Sequence, residues 1–305
     1  MNMRRAILTG ATGAIGLALI RELISDGVEV LVLCHKGSKR IDRIPVSPLV
    51  ELKDCSLDDL AGLTNDTGKE YDVFYHFAWA GTTGDARNDM PLQNQNVRYA
   101  LDAVECAARF GCKRFVGAGS QAEYGRVEGT LKPDTPAFPE NGYGMAKLCA
   151  GQMTRIRAHQ LGMEHVWPRI LSVYGPYDGE ASMVTSTIRK LLEGVKPSFT
   201  KGEQQWDYLY SGDAGKAFKL IGERGRDGAV YPLGGGKARP LADYILMMRD
   251  AANPDAELGL GDIPYGDKQV MYLCADITDL TRDTGWVPET DFETGIANTV
   301  AWLRG

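Results

Sequence analysis

The strongest chemical signal in this 305-residue chain is a tyrosine and a lysine four positions apart, Tyr143 and Lys147. On a helix that spacing puts both side chains on one face. A free phenol ionises at roughly pH 10 and is a poor proton carrier near neutrality. A neighbouring ammonium favours the phenolate, and lowering the pKa by about 3 units takes roughly 4 kcal/mol of differential stabilisation. Ser120, at the end of an apolar stretch, adds a hydroxyl suited to orienting a carbonyl or to stabilising charge that develops on its oxygen. Taken alone, the pair equally describes an aromatic packed at a helix start beside a surface lysine. It gains weight from what stands upstream.

Upstream, residues 9–16 read TGATGAIG, with Gly10, Gly13 and Gly16 at three-residue spacing between an apolar run and an amphipathic stretch. Gly10 suits backbone angles that other residues resist. Gly13 lets the backbone approach a pyrophosphate, and Gly16 permits close helix packing. Thr12, Ala14 and Ile15 would then stand at a helix N-terminus facing anionic phosphates. A tight turn of another α/β protein uses such glycines too, but the strand–turn–helix context points to a dinucleotide. The second apolar run ends in Cys34-His35-Lys36, followed by Ser38, Lys39 and Arg40. No acid stands there to bond an adenosine ribose, and the basic loop suits a ribose 2′-phosphate. The expectation is NADP(H), with NAD(H) as the alternative. An oxidised nicotinamide would join Lys147 in favouring the phenolate.

The elements that must position these groups alternate. Strands are expected at 5–9, 28–33, 49–53, 73–77, 114–118 and 166–171. Helices are expected at 15–25, 94–110 and 143–161. Pro168 suggests that the last of these strands lies at an edge or ends there. The pattern is α/β: a Rossmann-type parallel sheet with helices on both faces and a smaller C-terminal substrate-binding region. Residues 1–172 form the expected dinucleotide-binding domain, with 210–233 returning to it. Residues 173–305 form mainly the substrate region, with helices at 182–193, 213–222 and 292–303 amid glycine- and proline-rich loops.

Composition bounds the possibilities. Apolar residues make up 44%, charged residues 24%, and the net charge is −6. That acidity disfavours nonspecific nucleic-acid binding. No apolar run is long enough to span a bilayer or form a signal-peptide core, so a cytoplasmic location is expected. The six cysteines include no CxxC pair and read as thiols, and the four histidines are too scattered to suggest a metal site.

Together these pieces resemble the extended short-chain dehydrogenase/reductase family, especially its nucleotide-sugar epimerases, dehydratases and reductases. The matching segments are TGATGAIG at 9–16, HFAWAG at 76–81, NQNV at 94–97, GSQAEYG at 119–125, YGMAK at 143–147, PRILSVYGP at 168–176, WDYLYSGD at 206–213 and LTRDTGWVP at 280–288. The resemblance implies a catalytic trio of Ser120, Tyr143 and Lys147. It places Asp54 and Cys55 near adenine, while His35 and Lys36 remain candidates for the ribose 2′-phosphate on the strength of the basic loop alone. Phe77, Ala78 and Ala80 would line the cofactor cleft, Asn96 would support it, and Ile170 would sit near nicotinamide. Trp79, Gln121, Ser172 and Trp206 become substrate-cleft candidates. The family often supplies a diphosphate-binding arginine before Asp-Tyr, where this chain has Trp206. Arg239 or Lys268 would have to substitute. A homodimer through helices near 94–110 and 143–161 is also implied.

The favoured activity is reduction of a ketone on a nucleotide-activated deoxysugar. NADPH would deliver hydride, Tyr143 the proton, and Ser120 would bind the oxygen. The alternative is an epimerase that retains NAD and oxidises the sugar transiently. A dehydratase usually places acids beside the serine, where Ser120-Gln121-Ala122-Glu123 offers only a partial match. A noncatalytic NADP-binding regulator would need no intact trio.

Overall fold

The protein is described from a computed structural model covering residues 1–267 and 269–305. Lys268 lies outside the described residues. The main sheet is parallel throughout. Its strands are β1 Arg5–Thr9, β2 Glu29–Cys34, β3 Val50–Asp54, β4 Val73–His76, β5 Arg114–Gly117, the short β6 Gly119–Ser120, β7 Glu164–Ile170 and, after the smaller strands described below, β12 Val230–Leu233. They lie in the order β12-β7-β5-β4-β1-β2-β3, with β6 paired to β7. The central strands are buried almost end to end, as they must be when both faces are covered.

On one face, α1 Ala14–Ser25 and α5 Ser211–Arg224 pack together over Leu8, Val30 and Tyr75. Their backbones approach so closely that a Cβ on Gly215 would lie 2.7 Å from the Ala18 carbonyl carbon. The other face carries α2 Met90–Arg109 and α3 Gly142–Gln160 over Ile7, Phe74 and Phe115. Helix α2 starts earlier than the sequence pattern suggests. The Asp89 side chain accepts from the Leu92 N–H (3.1 Å), and Pro91 is tolerated in the first turn, where its missing N–H costs no helical bond.

Pro168 is not at an edge. Strand β7 has neighbours on both sides. The N–H groups of His165, Trp167 and Leu171 point toward Asp227, Ala229 and Leu233 on the β12 side. Position 168 therefore faces the other way, in the gap between the end of β5 and the start of β6, where a missing donor is tolerated.

The smaller lobe has its own core, with Tyr174, Ile188, Tyr244, Met248, Phe292 and Ile296 at its centre. It contains α4 Met183–Leu192, α6 Leu241–Ala252 and α8 Phe292–Arg304, with α7 Thr278–Thr284 packed back against α5. Three two-stranded sheets complete it: β8 Ser172–Tyr174 with β11 Tyr208–Tyr210, β9 Ser198–Phe199 with β14 Gly259–Leu260, and β10 Gln205–Trp206 with β13 Arg239–Pro240. The reading of the tail as loops misses α6. Its buried Tyr244, Ile245, Met248 and Ala252 have helical spacing, masked by flanking Gly234–Gly236, Pro240 and Pro254.

Candidate active site

The chain crosses from one half of the main sheet to the other between β1 and β4, and such a switch point opens a crevice at the strands' C-terminal ends. The glycine turn and the loop after β4 meet there. Gly10 has φ +71°, and a Cβ on it would sit 2.5 Å from the Ala78 nitrogen. A Cβ on Gly16 would lie 2.7 Å from the Gly10 carbonyl oxygen, so this glycine seats α1 on the turn itself. At Gly13 the nearest atom would be 3.9 Å away, leaving open space beside the N-terminus of α1.

Beneath the turn, the Thr9 hydroxyl is 2.9 Å from His76 Nδ1. Burial keeps His76 neutral, with its pKa pulled down to about 3. On α2, Asn96 clamps Ala80 through both its backbone N–H (3.0 Å) and its carbonyl (2.9 Å). Gln93, one helical turn earlier, bonds Trp79 Nε1 (2.9 Å) and the Gly81 carbonyl (2.8 Å). The sequence reading misses Gln93, although its three-residue spacing from Asn96 places both on one helix face.

The crevice has two compartments that share Gly10, Gly13, Phe77 and Trp79. The first, about 360 Å³, also takes in Thr12, His35, Cys55, Ala78 and Ala80. The second, about 490 Å³, takes in Ala14, Ile15, Gly16, Ser120, Tyr143, Lys147 and Ile170. A turn that admits no Cβ at two glycines, an open helix N-terminus and a crevice running to both sides fit a bound dinucleotide. Thr82, Thr83, Val173 and Asp178 line the second compartment as well and were not anticipated.

Several expected residues stand elsewhere. Asp54 accepts from the Lys36 backbone N–H (2.8 Å) and pairs with its amine (3.7 Å), which is largely exposed; neither residue lines the crevice. Ser172 and Trp206 bond each other (2.8 Å), Arg239 reaches Glu293 (3.5 Å), and none of the three lines either compartment. Gln121 is also absent from the lining.

The trio itself converges. Asn141 caps α3 by accepting from the Gly144 N–H (2.9 Å), which fixes Tyr143 in the first turn. Ser120 ends β6 and caps the short turn Gln121–Glu123. The Lys147 amine is buried, donates to the Ala118 carbonyl (2.7 Å) and lies 3.8 Å from the Trp79 ring centre. Burial pulls its pKa down to about 7, against the opposing pull of Glu123. For Tyr143, burial raises the pKa above its ordinary value, outweighing the lowering pull of Ser120 and of the Arg87 guanidinium. Two cations stand near the phenol ring. The Lys147 nitrogen is 5.9 Å from the ring centre, and Arg87 is nearer, at 4.6 Å.

Glu123 is fully buried. It accepts from the Ser120 N–H (2.8 Å), Trp167 Nε1 (3.0 Å) and Arg169 Nε (2.6 Å), and takes no part in the crevice wall.

The sequence model described as "NAD dependent epimerase/dehydratase family" matches residues 6–234. A dTDP-glucose 4,6-dehydratase from Streptomyces niveus is 27% identical over 98% of this chain and 93% of the relative. Two solved structures share the fold. One is the UDP-glucose 4-epimerase of Thermotoga maritima with UDP-glucose (TM-score 0.86, 23% identity, 98% of each chain). The other is the UDP-glucuronic acid 4-epimerase of Bacillus cereus with NAD (TM-score 0.84, 20% identity, 98% of each chain).

These findings overturn the expectation of NADP(H): the family is NAD dependent, and the Bacillus cereus relative holds NAD. Of the basic loop after β2, Lys36 turns to Asp54, while His35, Ser38 and Arg40 line the first compartment. With NADP(H) falls the expectation of an NADPH-driven ketosugar reductase, because these relatives are epimerases and a dehydratase. The chain belongs to the NAD dependent epimerase/dehydratase family and is an enzyme of the short-chain dehydrogenase/reductase type.

Proposed function

We propose that this protein is an NAD-dependent nucleotide-sugar epimerase. The observation that carries the reading is the placement of Ser120, Tyr143 and Lys147 on one compartment while Glu123 is locked in the core. A dehydratase needs acids beside the serine to remove water. Here the next two positions are Gln121 and Ala122, and the third is tied to Arg169. Bound NAD would supply an acceptor that takes hydride from a sugar carbon and returns it. It would be held by Gly10, Thr12, Gly13 and the first turn of α1, with Cys55, Phe77, Ala78, Ala80 and Ile170 along its length. The Tyr143 phenolate would take the sugar hydroxyl proton and give it back, and Ser120 would bond that oxygen. Lys147 would hold the nicotinamide ribose, and Trp79 would cover the sugar.

Incubation of NAD-loaded protein with UDP-glucose and dTDP-glucose should give the epimeric sugar nucleotide, with no net NADH and no change in mass. A product lighter by one water would establish the dehydratase reading instead. Tyr143→Phe should lower turnover by about 10²–10⁴-fold while NAD stays bound.

A homodimer is part of this proposal. Met145, Cys149, Met153 and Ile156 form an exposed stripe on α3, beside α2. All six cysteines are unpaired thiols, and no helix among the described residues is long and apolar enough to cross a membrane, which accords with a cytoplasmic site of action.

A further inference from the structure

The segment Gly84–Asn88 after β4 is fixed across the start of α3. Asn88 accepts from the Gly142 N–H (3.0 Å), and a Cβ on Gly142 would lie 2.8 Å from Met90 Sδ and 3.0 Å from the Arg87 carbonyl oxygen. This seating carries the Arg87 guanidinium to 4.6 Å from the centre of the Tyr143 ring. Arg87 itself lines neither compartment of the crevice.

The other groups around the phenol come from β6, the turn beyond it, the loop after β4 and α3 itself. Ser120 favours its ionised form from the end of β6, and Glu123 disfavours it from the turn beyond. Trp79 meets it edge-on, with ring centres 6.2 Å apart. Lys147, on the same helix, commits its amine to the Ala118 carbonyl and the Trp79 face, and burial disfavours its charged form. A guanidinium keeps its charge throughout the neutral range. A cation beside an aromatic ring is attracted to its π-electrons, and it favours the phenolate over the phenol.

We propose that Arg87 is a fixed cation that favours the Tyr143 phenolate, acting as a positioning residue through the phenol ring and without touching the substrate. The proposal rests on Tyr143 being the proton carrier in the reading above.

The test uses NAD-loaded protein labelled with 3-fluorotyrosine, with the Tyr143 ¹⁹F resonance assigned by its loss in Tyr143→Phe. The midpoint of its pH titration should move upward in Arg87→Gln, and Arg87→Lys should fall between that variant and the parent. NAD affinity should be unchanged in both. With a turned-over sugar nucleotide, Arg87→Gln should lose about tenfold in kcat/KM near pH 7 and converge with the parent at alkaline pH. Equal midpoints in parent and Arg87→Gln would overturn the proposal. So would a Tyr143 that stays protonated up to alkaline unfolding in both. A shifted midpoint without epimerisation of any sugar nucleotide would leave the role of Arg87 standing and remove the epimerase reading.

Discussion

Lys147 carries its proton in the unfolded chain up to roughly pH 10.4, but burial brings its pKa in the fold down to about 7. Between those values the unfolded chain binds more protons than the fold, so this residue makes stability rise with pH across that window. Lys147→Met cannot bind the proton. The stability of the parent minus that of Lys147→Met should therefore rise from pH 7 to pH 9, by up to about 1.4 kcal/mol per pH unit. Urea unfolding of both proteins without NAD at the two pH values measures this, and a flat difference would count against a buried, proton-poor amine. Residue identity was legible in the sequence here: Ser120, Tyr143 and Lys147 stand out by type and spacing. Their electrostatic partners were not. Arg87 lies 56 positions before Tyr143, and Glu123 is tied to Arg169 in a later strand, so neither relation leaves a local pattern.

The glycine turn separates folding from binding within one element. Gly13→Ala adds a methyl group to open space, with the nearest atom at 3.9 Å. It should leave thermal unfolding of the NAD-free protein within about 1 °C, yet weaken NAD binding at least about tenfold by occupying the path of the phosphates. Gly10→Ala forces a side chain into backbone at 2.5 Å and φ +71°. It should destabilise the protein by about 1–3 kcal/mol and abolish NAD binding. Equal thermal effects from the two substitutions would contradict this division. The elements themselves were largely readable, because buried parallel strands leave apolar runs and amphipathic helices leave a 3.6-residue period. The failures are instructive. Helix α2 begins four residues before the expected start, because Asp89 caps it and Pro91 belongs to its first turn. Helix α6 lay hidden between glycine and proline clusters.

At the scale of the whole molecule, the apolar stripe of α3 predicts self-association. Met153→Glu combined with Ile156→Lys should convert a dimer to a monomer in sedimentation velocity without altering the far-ultraviolet circular dichroism. A parent protein that sediments as a monomer at micromolar concentration would sink the dimer. The sequence by itself determined the parallel α/β architecture and singled out the candidate trio, since periodicity and short motifs are local and survive without knowledge of packing. Only the tertiary structure decided which charges meet. It turned Lys36 away to Asp54, bound Trp206 to Ser172, buried Glu123 with Arg169 and brought Arg87 beside Tyr143. The reason is physical: an ionic or polar side chain takes its role from the partner it finds and the water it loses, and both are set by segments far away in the chain.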